Sequence, residues 1–461
     1  MNRRRRRLTV TLSAVTALAS FGGAFGLAFT GGGAGSVEAV ALDAAVLSPR
    51  RSPALLHDLV AQTRLSSRLA LFARTLPPDA CVAVAAGTAQ VFARNQDQPL
   101  TPASALKVTT AAAFLAEVGG TGSFVTAVRG PKPSSAGVVA GDVTLVGGGD
   151  PLLATDGYVR TRRHPPEPNT ELDDLAEALR AAGVRRVTGR LLVADARFDD
   201  ERRVPTWSNG YTSNGDVGPL GALALNDGFA SYSPSLVVAP DPAVAVGQAL
   251  RDALTARGVS VEGGVARGAA SGNEIARVES VAYKEVVAEM LRESDNNSAE
   301  LLLKELAYAT GSRPATRSAG AAARVAALRR LGVAADAVQA VDGSGLDRSN
   351  KASCAALLAT LTTKPGGIDI EQLLAVAGES GTLNDRFLDS RLKGVLRAKT
   401  GSLNNVTALV GVADASLRMP VRFAFVANGA FSDAGGKALQ DRLVTTLATY
   451  PEAPDAAKLR P

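Results

Sequence analysis

The stretch LTPASALKVTTAAAFLAEVGG, residues 100–120, combines a helix start with two reactive side chains. Thr101 suits an N-cap and Pro102 suits the first helical position, so the pattern predicts a helix that begins here. Ser104 and Lys107 then lie three residues apart on one face of the first turn. The N–H groups of that turn lack partners within the helix, and the helix dipole is positive at this end. A serine hydroxyl beside a desolvated lysine there is a plausible nucleophile.

A second serine–lysine pair of the same spacing, Ser390 and Lys393, shows that the spacing alone does not identify an active site. A solvated helix face also explains any single match. Two further motifs favour the first pair: SDN at 294–296, which opens a predicted helix, and KTG at 399–401, which lies in a predicted strand. Both follow Ser104 in the chain, whereas Ser390 comes after SDN and has the wrong order.

Acyl transfer needs a nucleophile with its base, a proton route to the leaving group, and groups that bind the substrate. The predicted catalytic residues are Ser104, Lys107, Ser294 and Asn296, and the predicted substrate-binding residues are Lys399, Thr400, Gly401 and Ser402. Ser294 is expected to relay the proton and Asn296 to hold a substrate amide. The lysine and threonine of KTG suit a C-terminal carboxylate, and the glycine leaves the strand edge open to a peptide backbone. The N–H of Ser402 is the candidate second oxyanion donor.

The composition of the sequence, and with it the predicted secondary structure, changes twice around these motifs. Strands punctuated by glycine and proline begin near residue 125, and helical patterns return near 281 before three final strand-like runs. This layout predicts an α+β fold in which an antiparallel sheet carries helices on its faces. The predicted domains are an export signal or anchor at 1–41, a catalytic domain at 42–124 and 281–461, and one or two inserted, strand-rich domains at 125–280. Since insertions are tolerated where chain ends lie close together, entry and exit should lie side by side.

The first 41 residues have the pattern of an export signal. Arg3–Arg7 form a basic start, and an uncharged stretch runs from Leu8 to the residue before Glu38. The small residues 39–41 offer a cleavage site, although the uncharged stretch is also long enough for an uncleaved anchor. Either way the rest of the chain is expected outside the cytoplasm, secreted or anchored at the cell wall, with membrane contact only through this segment. Its removal lowers the formal charge from +6 to +2, so the basicity indicates no polyanionic partner.

Composition excludes several classes of function. Hydrophobic residues make up 46% and charged residues 20% of the 461 positions, which is typical of a globular protein. Only 4% are aromatic and ten are lysine, which argues against a nucleic-acid partner. The only histidines, His57 and His164, are expected at the surface, so neither a Ser-His-Asp triad nor a zinc site is predicted.

The two cysteines, Cys81 and Cys354, do not make a disulfide framework. Cys81 lies in the apolar run ACVAVAA, where a small buried hydrophobic residue is the expected role. We therefore predict two unbridged cysteines.

The three motifs are those of penicillin-recognising serine enzymes, and the chain resembles the class C low-molecular-mass penicillin-binding proteins, the D-alanyl-D-alanine carboxypeptidase/endopeptidases of the cell wall. The resemblance covers most of residues 75–450. Beyond the motifs it includes GDVTLVGGGDP at 141–151, GRLLVADARFDD at 189–200 followed by PTW at 205–207, DGSGLDRSN at 342–350 and SGTLNDRF at 380–387. The separation of 190 positions between Ser104 and Ser294 is typical of this class. Relatives often carry serine where this chain has Asp347.

The resemblance implies the beta-lactamase/transpeptidase-like fold with two additional domains. It implies acylation of Ser104 by the penultimate D-Ala of peptidoglycan stem peptides, loss of the terminal D-Ala, and attack by water on the acyl-enzyme. Penicillins and other beta-lactams are expected to acylate the same serine and to deacylate slowly. Neither a metal nor an organic cofactor is implied.

Two other functions are compatible with part of the pattern. A serine beta-lactamase with an SDN motif also needs a glutamate in an E-x-x-L-N context, and the nearest string, ESGTLN at 379–384, has one residue too many. Another beta-lactamase class uses Y-x-N as its second motif, and no Y-x-N occurs in this chain. A non-catalytic wall-binding protein would not need Ser104, Lys107 and Lys399 intact, so we favour the peptidase.

Overall fold

The computed structural model describes residues 52–162, 164, 167–414 and 419–451. The predicted export segment, 1–41, lies outside the described residues. The chain divides into two compact units, Met1–Leu56 and His57–Pro461, and of the first only residues 52–56 are described, as helix. None of the helices in the described ranges is both long and apolar enough to cross a membrane.

A six-stranded antiparallel sheet forms the centre of the larger unit. Its strands are β1 Ala80–Ala86, β2 Ala89–Arg94, β17 Ala375–Val376, β18 Leu396–Leu403, β19 Val406–Ala413 and β20 Val421–Asn428. They lie in the order β17-β18-β19-β20-β1-β2, so the hairpin of β1 and β2 pairs with β20. All eight residues of β19 are buried, which indicates that both faces of the sheet are covered.

Helices cover both faces of this sheet. The α-helices of the described residues are α1 Ser52–Ala73, α2 Lys107–Glu117, α3 Asp156–Arg162, α4 Leu172–Ala181, α5 Gly210–Ser213, α6 Pro242–Ala256, α7 Tyr283–Glu293, α8 Asn296–Ala309, α9 Arg317–Arg330, α10 Cys354–Leu361 and α11 Asp433–Leu447. Residues of α1 and α11 pack with one face of the sheet in one buried apolar cluster. Residues of α2, α7, α8, α9 and α10 pack with the other face in a second cluster. The α+β class predicted from the sequence is confirmed.

The strands between α2 and α7 form separate sheets. They are β3 Val125–Gly130, β4 Val138–Val139, β5 Val143–Val146, β6 Leu153–Ala154, β7 Thr170–Glu171, β8 Arg186–Val187, β9 Leu191–Ala194, β10 Phe229–Ser231, β11 Val237–Val238, β12 Ser260–Val261, β13 Val265–Arg267 and β14 Asn273–Glu279. The largest sheet has the order β13-β9-β5-β3-β14, and β12-β8-β4 form another. Two short strands outside this region, β15 Val338–Gln339 and β16 Lys351–Ala352, pair with each other. Among the described residues, none of β3 to β14 joins the six-stranded sheet.

The chain enters and leaves this region at one place. β3 pairs antiparallel with β14, with Val125 opposite Glu279. The N–H of Phe124 donates to Ser280 Oγ at 3.0 Å, and the N–H of Ser280 donates to the Phe124 carbonyl at 2.9 Å. Entry and exit therefore lie side by side, as predicted, while the domain boundaries at 124/125 and 280/281 stay a prediction.

Cys81 and Cys354 form a disulfide, so the prediction of two unbridged cysteines is wrong. Cys81 lies in β1 and Cys354 begins α10, and their Cα atoms are 5.9 Å apart. The packing of α10 on the sheet brings together residues that are 273 positions apart in the chain. Because this contact is purely tertiary, neither the cysteine count nor the local apolar run revealed it.

Candidate active site

Lys107 lies at the meeting point of segments that are distant in the sequence. Its Nζ is 3.0 Å from Ser104 Oγ and 2.6 Å from Asn296 Oδ1. It also donates to the backbone carbonyl of Ser344 at 2.8 Å. These contacts arise because α2 begins at Lys107, α8 begins at Asn296, and the two helices pack in the same apolar cluster. The first two motifs therefore form one site.

Ser104 lies in a 3-10 turn, Ala103–Leu106, that leads directly into α2. The N-cap of this turn is Pro102, which makes no side-chain capping bond. The predicted N-cap, Thr101, instead donates its hydroxyl to the Arg348 carbonyl at 3.1 Å, so that prediction is wrong. The hydroxyl makes this tertiary contact and does not cap the helix. The first residue of the turn has φ of 48°, a backbone conformation that non-glycine residues rarely adopt and that is often found at functional turns.

The environment of Lys107 shifts its protonation equilibrium toward the neutral form. The side chain is completely buried, and this burial lowers the pKa of Lys107 from its ordinary 10.5 to about 8. The carboxylates of Asp295, Glu300 and Asp342 act in the opposite direction and limit the decrease. About one lysine in ten is then neutral at pH 7, whereas an exposed lysine is almost never neutral there. A neutral amine 3.0 Å from a serine hydroxyl can accept its proton.

The SDN motif connects α7 to α8. Ser294 ends α7 in the left-handed conformation, with φ of 63°. Asp295 is the N-cap of α8 and accepts from the N–H of Ser298 at 2.8 Å. Asn296 donates its Nδ2 to the Asp216 carbonyl at 2.7 Å, which leaves Oδ1 facing Lys107. The serine and asparagine of the motif line the same cleft of about 200 Å³.

Lys399 of the KTG motif is also completely buried. Burial, and then the positive charge of Lys107, lower the pKa of Lys399 well below its ordinary value. Lys399 donates to the Thr400 carbonyl at 2.9 Å, and the Thr400 hydroxyl donates to Thr382 Oγ1 at 3.2 Å. Thr382 belongs to the string SGTLNDRF, for which the sequence suggested no role.

β18 places the end of the motif against the nucleophile turn. A Cβ on Gly401 would lie 2.8 Å from the Pro102 carbonyl oxygen and 3.1 Å from the Ala105 nitrogen. The glycine thus allows the turn itself to approach, in addition to the predicted approach by a substrate backbone. Ser402 is exposed and pairs with Thr407 of β19.

The open edge of β18 begins at the same place. β17 faces only Arg397 and Ala398, so the strand from Lys399 to Leu403 extends beyond its neighbour. An extended peptide laid along this edge would pass Lys399, Thr400 and the nucleophile turn in succession.

The loop 341–347 supplies site residues that the sequence analysis missed. Besides the Ser344 carbonyl on Lys107, it contains the buried carboxylate of Asp342. The buried carboxylate of Glu300 accepts from the N–H groups of Gly343 at 2.9 Å and Ser344 at 2.7 Å. Burial, and then the charge of Asp342, raise the pKa of Glu300 to about 7. The string DGSGL was the only signal, and it carried no indication of function.

The cleft beside Ser294 is lined by acidic residues, among them Asp216, Asp227 and Glu293. The Glu293 carboxylate contacts His164 Nδ1 at 2.9 Å, and the imidazole is half exposed. The described part of the chain contains no group of three His, Cys, Asp or Glu side chains that could hold a metal ion.

The antiparallel sheet with helices on both faces, together with a buried lysine on a serine hydroxyl, defines a penicillin-recognising serine enzyme. The chain belongs to the D-Ala-D-Ala carboxypeptidase 3 (S13) family, whose model matches residues 78–236 and 230–450. Members of this family are serine peptidases of peptidoglycan, and the chain is therefore a serine D-Ala-D-Ala carboxypeptidase.

Individual relatives agree with this assignment. The carboxypeptidase DacB of Mycolicibacterium smegmatis is 32% identical over 359 residues, which cover 74% of this chain and 74% of that protein. A D-alanyl-D-alanine carboxypeptidase of an Actinomadura species is 28% identical over 454 residues, covering 80% of this chain and 81% of the relative. The crystal structure of penicillin binding protein 4 from Haemophilus influenzae has the same fold, with a TM-score of 0.68 at 20% identity, covering 82% of this chain and 97% of that one.

Proposed function

We propose that Ser104 is the nucleophile and Lys107 the base of this carboxypeptidase, acting on peptidoglycan stem peptides that end in D-Ala-D-Ala. The observation that carries the proposal is the contact of a buried lysine, with a pKa of about 8, on the hydroxyl of Ser104. No other described contact brings a nitrogen base with so low a pKa to a serine hydroxyl.

In the acylation step, neutral Lys107 accepts the proton of Ser104 as Oγ attacks the penultimate D-Ala carbonyl. The carbonyl oxygen becomes an oxyanion, which the N–H groups of Ser104 and Ser402 stabilise. Ser294, in the cleft beside Asn296, relays the proton from Lys107 to the nitrogen of the leaving D-Ala. The bond to D-Ala then breaks and leaves an ester on Ser104. Water attacks this ester and Lys107 accepts a proton of that water. The ester bond then breaks, the proton passes from Lys107 to Ser104 Oγ, and the shortened peptide leaves as a carboxylic acid.

Lys399 and Thr400 bind the carboxylate of the terminal D-Ala. A buried lysine next to a second lysine is unfavourably placed as a lone cation, and a substrate carboxylate restores the balance of charge. Asn296 holds a substrate amide, and the edge of β18 from Gly401 accepts the peptide backbone. The same acylation step cleaves a cross-link when the leaving amine belongs to a neighbouring stem peptide, so endopeptidase activity is included in this proposal.

A peptidase of the cell wall works outside the cytoplasm. We therefore propose that residues 1–41 export the chain, either as a cleaved signal or as an N-terminal anchor, and that 125–280 are inserted domains. Beta-lactams, whose strained amide resembles the substrate, acylate Ser104 and leave slowly.

Release of D-Ala from a peptide ending in D-Ala-D-Ala tests the proposal. Wild type and Ser390→Ala should release D-Ala at equal rates, and Ser104→Ala should release none. A peptide ending in L-Ala-L-Ala is the substrate control. Undiminished release by Ser104→Ala would contradict the nucleophile, and rapid hydrolysis of penicillin without release of D-Ala would favour the beta-lactamase alternative.

A further inference from the structure

We propose that Asp342, held by Trp207, is a positioning residue for Lys107, an inference that rests on the proposed role of Lys107 as base. Trp207 belongs to the region between β3 and β14, which the sequence predicts as an insertion. The inserted region would then contribute to catalysis at Ser104.

The geometry of a neutral lysine shows why positioning matters. A neutral amine has two N–H groups and one lone pair. In this site the oxygens of Asn296 and Ser344 lie 2.6 Å and 2.8 Å from Lys107 Nζ and accept the two N–H groups. The lone pair is then left facing Ser104 Oγ at 3.0 Å. If either oxygen moved, the amine could rotate and the lone pair would leave the hydroxyl.

Asp342 controls one of these two oxygens through a single peptide group. The carbonyl of that peptide is the Ser344 oxygen on Lys107, and its N–H, from Gly345, donates to Asp342 Oδ1 at 2.9 Å. Because a peptide group is planar and rigid, anchoring its N–H fixes the direction of its carbonyl. The carboxylate therefore acts on Lys107 without touching it.

The carboxylate of Asp342 is itself fixed by hydrogen bonds. Its Oδ1 accepts from Gly345 and from Asn350 Nδ2, at 2.9 Å and 2.7 Å. Its Oδ2 accepts from Trp207 Nε1 and from the N–H of Asp347, at 2.9 Å and 2.7 Å. With four N–H donors on two oxygens and no exposure to solvent, the carboxylate has one orientation. The indole is the donor that comes from the inserted region.

The loop that carries the carbonyl is pressed against the nucleophile turn. Gly345 has φ of +89°, and a Cβ there would lie 2.0 Å from the Ala103 carbonyl oxygen. The loop has no space to shift toward the turn, and we expect a change at Asp342 to rotate the carbonyl. The inserted region also reaches the other acceptor of Lys107, since the Asp216 carbonyl orients the Asn296 amide.

The charges around the site predict different pH behaviour for different variants. Lys107 faces the carboxylates of Asp295, Glu300 and Asp342, which raise its pKa, and it is near the ammonium of Lys399. Asp342 in turn faces the cations of Arg317 and Arg324. Removing the charge of Asp342 should lower the pKa of Lys107 below about 8, whereas removing only the indole N–H should leave all of these charges in place.

The test uses Trp207→Phe, which removes the donor and keeps an aromatic ring. Tyr211→Phe is the matched control, because the Tyr211 hydroxyl comes from the same segment and donates to the same loop, at the Leu346 carbonyl, 3.2 Å away. The measurement is the rate constant for acylation by a chromogenic cephalosporin as a function of pH. Trp207→Phe should lower the plateau on the order of tenfold with an unchanged midpoint, and Tyr211→Phe should stay near wild type. Asp342→Asn should lower the plateau and move the midpoint to lower pH.

The inference is overturned if Trp207→Phe acylates at the wild-type rate, if Tyr211→Phe loses as much activity, or if a folded Asp342→Asn keeps the wild-type midpoint. If Asp342→Asn does not fold, the comparison of the two phenylalanine variants still decides. Absence of any acylation of the wild-type chain at Ser104 would instead overturn the proposed function, and this inference with it.

Discussion

A lysine that acts as a base must lose its proton near neutral pH and must direct its lone pair at the nucleophile. Lys107 meets the first condition through burial, which lowers its pKa to about 8. It meets the second through the oxygens of Asn296 and Ser344, which occupy its N–H groups. Both conditions depend on residues far from Lys107 in the chain.

Acylation should depend on pH if Lys107 is the base, as proposed. Because the neutral amine is the active form, the rate should rise with pH through a midpoint near pH 8 and level off above it. Lys107→Arg keeps the charge but cannot deprotonate, so acylation by penicillin should fall by about 10²–10⁴-fold at every pH. Lys393→Arg, in the other serine–lysine pair, is the control and should change nothing. A rate that is constant between about pH 6 and 10 would contradict Lys107 as the base.

Lys399 should bind the carboxylate of the substrate. Lys399→Ala should cost about 2 kcal/mol or more in kcat/KM for peptides with a free terminal carboxylate, because the cation no longer binds it. Amides or esters of the same peptides lack the carboxylate and should lose much less. Steady-state kinetics on the paired substrates measures the difference. Equal losses on both would show that Lys399 has another role.

At the scale of elements, the site is a contact between a strand, a turn and two helix starts. β18 lies so close to the 3-10 turn of Ser104 that only a glycine fits at position 401. The helix starts at Lys107 and Asn296 bring the lysine amine and the asparagine amide together. The chemistry therefore depends on how tightly β18 packs on the turn.

Gly401→Ala tests this packing. The new methyl group would lie 2.8 Å from the Pro102 carbonyl oxygen, so the strand or the turn must move. We expect the free energy of unfolding to fall by about 1–3 kcal/mol and acylation to slow. Gly264→Ala is the control, since a Cβ there meets nothing within 4 Å. Urea unfolding and the rate of penicillin acylation measure both effects, and equal behaviour of the two variants would count against the proposed contact.

Elements with strong local signals were predictable from the sequence. The helix predicted to begin at SDN appears as α8, and the helical patterns predicted from near residue 281 appear as α7, α9 and α10, because apolar periodicity and capping residues specify them locally. The start of α2 was not predictable in detail, since Thr101 bonds to Arg348 and does not cap the helix. Its hydroxyl was taken by a partner 247 positions away in the chain.

At the scale of the whole molecule, a disulfide and a set of polar contacts connect segments around the site that are distant in the sequence. The disulfide connects the sheet to α10. Polar contacts connect the region between β3 and β14 to α8 and the loop 341–347, including the bond from Trp207 to Asp342. These bonds and contacts hold the two parts of the six-stranded sheet and the region between β3 and β14 in fixed positions.

Reduction of the disulfide should lower stability. Because it closes a loop of 273 residues, its loss should reduce the free energy of unfolding by about 2–5 kcal/mol. Denaturant unfolding with and without reductant measures this in the wild type. The double variant Cys81→Ala and Cys354→Ala has no thiol left, so reductant should not affect it. A wild type that is insensitive to reductant would show that the bond contributes little.

These long-range contacts are also what the sequence could not predict. Cys81 and Cys354 each have an ordinary apolar context, and nothing local shows that they meet. Asp342 and Trp207 were parts of quoted strings without a role, because the hydrogen bond between them exists only in the folded chain. The three motifs were recognisable because their residue types follow from the chemistry, while the residues that orient them follow from the packing.

Mass spectrometry of the full chain after incubation with benzylpenicillin tests the central claim most directly. Trypsin should release residues 95–107, NQDQPLTPASALK, in which Ser104 is the only serine, and residues 387–391, FLDSR, which contain Ser390. We predict one penicilloyl adduct per chain, on residues 95–107, and none in Ser104→Ala. An adduct on residues 387–391, or labelling that persists in Ser104→Ala, would contradict it.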